Sequence, residues 1–288
     1  MRDIPTSPRV KEIKRSRRVR KMRLFIIYFL LLGSLVWGLS LLSQDRHIVI
    51  NNIIVKGTHV IDENDITREI NKYISGKYVY LFPKANSFIY PHKKIYNNLL
   101  SNFTRIESLS VYRGNLQTIH VDIEERVGSF LYCGVTIPED KSDIGENCYF
   151  INNDGFIFDK APYFSGNVYF KYYMALPDGV TDPLGSQMLS EEEFHRTARF
   201  VDGVESLGFK PIYIFKDKDN TNYLYLNHEV VHTEPKVIFK NDDDFNEILD
   251  NLSIAMAKKE FADEVNSKYN TLLYIDLRFP NKVLYKFQ

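Results

Sequence analysis

The segment Asn227–His232, with the letters NHEVVH, comes nearest to a catalytic pattern in this chain. It matches H-E-x-x-H, in which two histidines bind zinc and the glutamate between them activates a water molecule. This chemistry needs a helix, because one helical turn brings both histidines to the same ion, whereas four residues of a strand span about 13 Å. The β-branched Val230 and Val231, with Pro235 soon after them, favour a strand. We therefore predict a strand and no zinc site here.

A membrane-anchored, exported zinc hydrolase is the enzymatic alternative, and its metal ligands and base would be His228, Glu229 and His232. The other five histidines are scattered, and the acidic run Asp242–Asp244 is typical of the start of a helix. The segment Asp217–Asn222 resembles a calcium loop, but its sixth residue is asparagine where glycine is needed. The chain also contains no G-x-S-x-G, P-loop or C-x-x-C pattern. We predict no catalytic residues, no metal and no cofactor.

Cys133 and Cys148 are the only cysteines, and they flank a polar loop of residues 134–147. A disulfide that closes this loop would require an oxidising compartment. Two unpaired structural cysteines are the other interpretation. Without a nearby pair of histidines, the two cysteines do not predict a metal site.

The charge of the chain is concentrated at its N-terminus. Residues 1–23 carry ten of the 37 Lys and Arg residues and two of the 37 acidic residues, which leaves 27 basic and 35 acidic residues, a net charge of −8, in the rest. The next 19 residues, Leu24–Leu42, contain no charge. As a helix they would be roughly 28 Å long, close to the apolar thickness of a bilayer. Signal peptides have a shorter apolar core of about 7–15 residues, so we predict a transmembrane helix at residues 24–43.

The positive-inside rule fixes the expected orientation of this helix. Residues 1–23 would form a basic cytoplasmic arm, and residues from about 44 onward would lie outside the cytoplasm. A basic arm can also bind nucleic acid, but the adjacent apolar segment makes lipid headgroups the simpler explanation. We predict a single-pass protein of the cell membrane with no nucleic-acid partner.

Residues 47–126 alternate between strand and helix patterns. Ile66, Ile70 and Ile74 have helical spacing, and Asp62 or Asn64 is suited to cap that helix. A strand pattern precedes this helix, and a second helix pattern and two strand patterns follow it. The order β-α-α-β-β predicts a small α+β domain.

Residues 127–288 read mostly as strands with turns between them. The Asn-Asp-Gly sequence at residues 153–155 predicts a hairpin turn. Ser190 and Glu193 fit a capping box for one helix, and residues 242–264 predict a second. The chain ends in a predicted hairpin, YIDLRFPNKVLYKF. We predict a mainly antiparallel β domain with flanking helices.

In the order and spacing of these segments the chain resembles the FtsQ/DivIB family of bacterial cell-division proteins. The resemblance lies in the basic arm with one membrane helix, in IIVKGTHVIDENDI, in IHVDIEERVGSF, in CYFINNDGFIF and in the terminal YIDLRF. It implies a POTRA domain at residues 47–126 and a β domain at residues 127–288. Two departures are Gly128 and Phe130, where the family has proline and a small residue. The loop of residues 134–147 is also longer than is usual in the family.

The resemblance implies a non-catalytic scaffold at the division septum. Members of the family bind small coiled-coil membrane proteins, FtsB/DivIC and FtsL, outside the cytoplasm and help to regulate septal peptidoglycan synthesis. A POTRA protein of a transport system is a further alternative.

The family also implies a binding surface, because in relatives the partner adds a strand to the C-terminal edge of the β domain. An exposed strand edge offers unpaired N–H and C=O groups for such an addition. On this chain the matching stretch is Thr271–Gln288. The expected partner-binding residues are Tyr274, Asp276, Arg278, Phe279, Val283, Leu284, Tyr285 and Phe287.

Overall fold

The structure is a computed structural model that describes residues 8–139, 144, 146–164, 166–227 and 234–288, with only the backbone at residues 8–14 and 16. It has a mixed α+β fold, as predicted, and it divides into two compact units. Unit 1 is Met1–Glu125 and unit 2 is Arg126–Gln288. The H-E-x-x-H segment, with His228, Glu229 and His232, lies outside the described residues.

Helix α1 spans Pro8–Ser43, so it continues from the apolar segment back into the basic arm. Its part Arg17–Ser43 is long and apolar enough to cross a membrane. The large apolar side chains of this part, among them Phe25, Leu31 and Trp37, are exposed in the chain by itself. Because apolar side chains in such numbers are unfavourable in water, their exposure is consistent with a lipid environment.

The end of α1 bonds to the rest of unit 1 at a small hairpin and just after it. The strands of this hairpin are β2 (Lys77–Tyr78) and β3 (Phe82–Pro83). Ser40 donates a hydrogen bond from its hydroxyl to the Leu81 carbonyl at 2.8 Å. Asn86, three residues after β3, donates to both the carbonyl and the hydroxyl oxygen of Ser43 at 3.0 Å. These bonds remove Ser40 and Ser43 from solvent and join the helix directly to the rest of unit 1.

Two helices pack on one face of a three-stranded sheet in unit 1. The sheet has the order β1-β5-β4, with β1 parallel and β4 antiparallel to β5. The elements, in chain order, are β1 (Asn52–Lys56), α2 (Glu63–Ile74), α3 (His92–Asn102), β4 (Ile106–Arg113) and β5 (Thr118–Glu125).

The core of unit 1 follows the two periodicities of the sequence. The isoleucines at positions 66, 70 and 74 of α2 are buried, and so are Ile119, Val121 and Ile123 of β5. They form one cluster between the helices and the sheet. The predicted cap is also confirmed, because the Asp62 side chain accepts a hydrogen bond from the Asn64 amide at 2.8 Å.

Glycine is required where β1 ends. Gly57 has a φ of 84°, a backbone conformation that side chains with a Cβ rarely adopt. A Cβ at this position would also collide with the carbonyl oxygen of Ile123 on β5. The close approach lets the chain turn from β1 toward α2 directly against the sheet.

Glu125, the last residue of β5, fixes the loop that leads into α2. Its carboxylate accepts hydrogen bonds from three successive backbone amides, those of His59, Val60 and Ile61, at 2.8 to 3.1 Å. Burial by itself would raise the pKa of Glu125, but these amides and the nearby charge of Arg105 outweigh it, so the net pKa lies below its ordinary value. Glu125 therefore stabilises unit 1 through these hydrogen bonds.

Unit 2 is built on a nine-stranded, mostly antiparallel sheet with the order β14-β13-β12-β11-β10-β9-β6-β7-β8. The neighbours β12–β13, β9–β10 and β6–β9 are parallel. The strands are β6 (Phe130–Tyr132), β7 (Tyr149–Ile151), β8 (Ile157–Lys160), β9 (Lys171–Tyr173), β10 (Pro211–Lys216), β11 (Thr221–Leu226), β12 (Lys236–Lys240), β13 (Leu272–Asp276) and β14 (Leu284–Phe287).

Three helices pack against this sheet: α4 (Glu191–Ser206), α5 (Phe245–Ala257) and α6 (Lys259–Ser267). Phe200, Leu252 and Val265, one from each helix, join the buried residues of the strands in one core. Ser190 caps α4 by accepting a hydrogen bond from the Glu193 amide, as predicted.

The prediction of a single helix at residues 242–264 is wrong, because the chain forms the two helices α5 and α6 there. At Lys258 the backbone is extended, with φ −77° and ψ 115°, and its amide bonds to Ala255 rather than continuing the helix. The break changes the direction of the chain, so that Leu252 and Val265 both reach the same core. The local sequence contains no glycine or proline that marks this position.

Two local features stabilise the strands β6 to β8. The predicted turn between β7 and β8 is confirmed, with Gly155 at a φ of 82° and the Asn152 side chain accepting bonds from the amides of Asp154 and Phe156. Cys133 and Cys148 form a disulfide, which decides between the two interpretations of these residues.

We expect Glu125→Gln to destabilise unit 1 by about 1 kcal/mol at neutral pH, because a neutral amide is a weaker acceptor for three N–H groups. A carboxylate with a lowered folded pKa contributes stability above its unfolded pKa and loses it as the pH falls through the folded value. The native protein should therefore lose this contribution below about pH 4.5, and the variant should not. Thermal unfolding between about pH 3 and pH 7 measures both effects. The exposed Glu107→Gln serves as the control, and identical profiles for all three proteins would contradict the role of Glu125.

Replacing both cysteines, Cys133→Ala with Cys148→Ala, should destabilise unit 2 by about 3 kcal/mol under oxidising conditions, since the disulfide restricts the unfolded chain across a separation of 15 residues. Denaturant unfolding with and without a reductant measures the loss. The reductant should shift the native protein toward the variant and leave the variant unchanged. An unfolding midpoint of the native protein that does not respond to reductant would count against this contribution.

Candidate partner-binding edge

The C-terminal hairpin of unit 2 contains one internal strand and one edge strand. β13 lies between β12 and β14, whereas β14 pairs with β13 alone in the part of the chain that the structure describes. Leu284 lies opposite Asp276, and Phe287 lies opposite Leu272. One side of β14 therefore presents backbone groups that no described strand pairs.

The hydrogen bonds of the hairpin show which backbone groups point outward. The Gln288 amide donates to the carbonyl of Thr271, the residue before β13, at 2.8 Å. Because the groups of an antiparallel strand alternate, the N–H and C=O of Tyr285 and Phe287 point away from β13. These two residues supply the donors and acceptors that an added strand would use.

Tyr285 fixes β14 against α6. Its ring lies edge-on to Phe261, with centroids 4.9 Å apart, and its hydroxyl donates to the Glu264 carboxylate at 2.9 Å. This bond raises the pKa of Tyr285, and bonds from Lys268 and Tyr285 lower the pKa of Glu264. The edge is thus held in an extended form without a second strand beside it.

A groove of about 420 Å³ lies between β14 and the helices α5 and α6. Its apolar lining includes Ile254 and Phe261 from the helices and Val283 and Tyr285 from the hairpin. The Ile254 side chain is 60% exposed, which is unusual for a large aliphatic residue on a packed helix. A partner that extends the sheet at β14 would have apolar surface available next to the new strand.

Asp276 and Arg278 have a different environment. The Asp276 carboxylate is buried, and Arg278 donates to its two oxygens from Nε at 2.9 Å and from Nη2 at 2.6 Å. The Arg278 amide donates to the same carboxylate at 3.1 Å. This hydrogen bonding to Asp276 raises the pKa of Arg278. The pair fixes the turn between β13 and β14 and has few remaining groups for a partner.

The expected binding residues thus fall into three groups. Phe279, Leu284 and Tyr285 are exposed and adjoin the free edge. Val283 and Phe287 are half-buried against the core, and Tyr274 is half-buried on the internal strand. Asp276 and Arg278 bind each other.

Sequence reasoning missed the helical side of the groove. Ile254, Phe261 and Glu264 precede β14 by 20 to 30 residues, and the fold alone brings them to this strand. The signal in the sequence is that the apolar Ile254 lies off the helical stripe of Phe245, Ile248 and Leu252 that α5 buries.

One group of described residues could hold a metal ion. Asp154, Glu191 and His195 bring one ligand atom each within 4.8 Å of one another. The His195 Nε2 lies 3.8 Å from an Asp154 oxygen and 3.7 Å from a Glu191 oxygen. All three side chains are at least 40% exposed, as is common for acidic surface groups that bind no metal.

The sequence matches no protein-family model, and it has no significant match among curated proteins.

We expect Asp276→Asn to destabilise unit 2 by about 1 to 2 kcal/mol, because the variant loses a charge-assisted pair and leaves part of the guanidinium without an acceptor. Denaturant unfolding of the purified protein, followed by tyrosine fluorescence, measures the change. Asp263→Asn, an exposed aspartate of α6, is the matched control and should have the native midpoint. Equal midpoints for the two variants would show that the Asp276–Arg278 pair does not stabilise the hairpin.

Proposed function

We propose that this chain is a non-catalytic cell-division scaffold of the FtsQ/DivIB type. In this proposal it resides at the division septum, binds FtsB/DivIC-like and FtsL-like membrane proteins outside the cytoplasm and helps to regulate septal peptidoglycan synthesis. The observation that carries the proposal is the free edge of β14, at the position where the family binds its partner.

The charges and the disulfide support the same membrane topology. Ten basic residues precede the apolar part of α1, which favours a cytoplasmic N-terminus. The bond between Cys133 and Cys148 is typical of an oxidising, extracytoplasmic compartment. Two independent features thus favour the same side of the membrane for unit 2.

Apart from the β2–β3 hairpin between its two helices, unit 1 has the order strand, helix, helix, strand, strand, which supports the comparison with a POTRA domain. Its sheet, with β1 parallel to the last strand, places both helices on one face. In the proposed scaffold this unit contributes to recruitment close to the membrane.

The chemistry of β14 favours the addition of a strand. Tyr285 and Phe287 direct their backbone groups away from β13, and the exposed Leu284 adjoins them. Backbone hydrogen bonds would provide affinity, and the groove beside α5 and α6 would select apolar side chains of the partner.

Removal of Thr271–Gln288 is a poor test of this proposal. The deletion would also remove β13, whose Leu272 and Ile275 are fully buried in the core of unit 2. Loss of binding could then result from unfolding. A substitution within β14 is required, with a control that keeps the outward N–H.

We expect Tyr285→Pro to abolish capture of the partner, because proline removes the outward N–H of an edge strand and leaves the bonds to β13 in place. Tyr285→Ala also lacks the ring and the hydroxyl but keeps that N–H, so it is the matched control and should bind the partner. Copurification of FtsB- and FtsL-like proteins with the full-length chain measures binding, and near-UV circular dichroism checks the fold.

A fluorescent fusion of each variant provides the cellular measurement. The native chain and Tyr285→Ala should concentrate at mid-cell during division. Undiminished capture by a folded Tyr285→Pro protein would refute the edge-strand proposal. Uniform membrane fluorescence of the native chain throughout the division cycle would refute the scaffold.

A further inference from the structure

The tip of the β2–β3 hairpin has two exposed apolar residues in an unfavourable backbone conformation. Val79 and Tyr80 have φ values of 49° and 62°, and their side chains are 81% and 94% exposed. The Leu81 amide donates to the Tyr78 carbonyl at 3.0 Å and closes a tight turn around them.

The residue types at this turn are not those that its geometry favours. Two successive positive φ values are typical of a turn with asparagine and glycine, which adopt them at little cost. A β-branched valine is strained in this region. The fold therefore gains nothing locally from Val79 and Tyr80, and their exposure shows that they add little to the packing of unit 1.

The hydrogen bonds to α1 give the direction in which the hairpin points. Just beyond its base, the Asn86 side chain donates to the carbonyl oxygen of Ser43 at 3.0 Å. Near its tip, the Leu81 carbonyl accepts from Ser40 at 2.8 Å. Ser43 and Ser40 are three helical residues apart, so the chain from Asn86 to the tip of the hairpin descends about 4.5 Å along α1 toward the apolar segment.

These levels correspond to the edge of a bilayer. The uncharged segment of α1 ends at Leu42, so Ser40 lies within it and Ser43 lies just beyond it. The apolar tip adjoins the Leu81 carbonyl at the level of Ser40, and the Lys77 ammonium group bonds to Gln44, the first residue after α1. Aromatic and basic residues have this distribution at membrane interfaces.

We infer that the tip of this hairpin inserts Val79 and Tyr80 into the outer part of the bilayer next to α1. The inserted tip and the membrane helix give unit 1 two separate points of contact with the lipid. Together they restrict the tilt and rotation of unit 1 relative to the membrane surface. The inference rests on the proposed membrane span of α1 and does not depend on the partner.

Tryptophan fluorescence in proteoliposomes tests the inference. Trp37, in the apolar part of α1, is the only tryptophan of the chain, so Trp37→Phe provides a background without tryptophan fluorescence. Tyr80→Trp is introduced into this background and reconstituted in phosphatidylethanolamine and phosphatidylglycerol vesicles. Acyl chains brominated near the glycerol end serve as the quencher.

Val60→Trp in the same background is the matched control. Val60 is also an exposed apolar residue of unit 1, but it lies beyond the far end of β1, which is about 16 Å long. We expect Tyr80→Trp to emit at shorter wavelength and to lose intensity in brominated vesicles. Val60→Trp should show neither effect.

The outcomes distinguish the insertion of the hairpin tip from the membrane span of α1. Quenching of Trp37 in the native chain, with Tyr80→Trp emitting like the control, would overturn the insertion while leaving the span intact. An unquenched Trp37 would overturn the span and the insertion with it. Capture of the partner is measured independently at Tyr285.

Discussion

An open β-sheet must end in strands that have a partner on one side only, and this constraint shapes unit 2. The helices α4, α5 and α6 provide the apolar cover that nine strands need, but they cannot satisfy the backbone groups at an edge. At β14 the outward groups of Tyr285 and Phe287 remain available. The hydrogen bond from Tyr285 to Glu264 holds the strand extended, which lowers the entropic cost of adding another strand.

In unit 1, hydrogen bonds attach the folded part of the unit to the long apolar helix α1. The bonds from Ser40 to Leu81 and from Asn86 to Ser43 hold α1 directly against the rest of unit 1. Glu125 stabilises the other end of the same unit by binding the loop before α2. The proposed insertion of the hairpin tip extends this rigid attachment into the lipid.

Much of the fold could be predicted because its signals are local. The spacing of Ile66 and Ile70 on α2, the alternation of Ile119 and Val121 on β5 and the cap at Ser190 depend on neighbours a few residues away. The proposed binding site could be named from the sequence only as a segment, since strand propensity and the resemblance both point to the terminal hairpin. The roles of the individual residues could not be predicted, because alternation alone does not reveal that Asp276 is buried and bonded to Arg278.

The sequence by itself determined the apolar helix, the mixed α+β class and the positions of most helices and strands, since these follow from periodicity, charge and capping along the chain. Only the tertiary structure decided that Cys133 and Cys148 pair, that the helix breaks at Lys258 and that β14 is an edge. It also decided that Val79 and Tyr80 are exposed next to Leu81, whose carbonyl accepts a hydrogen bond from Ser40 of α1. These outcomes depend on contacts between residues far apart in the chain, whose free energies no local pattern contains.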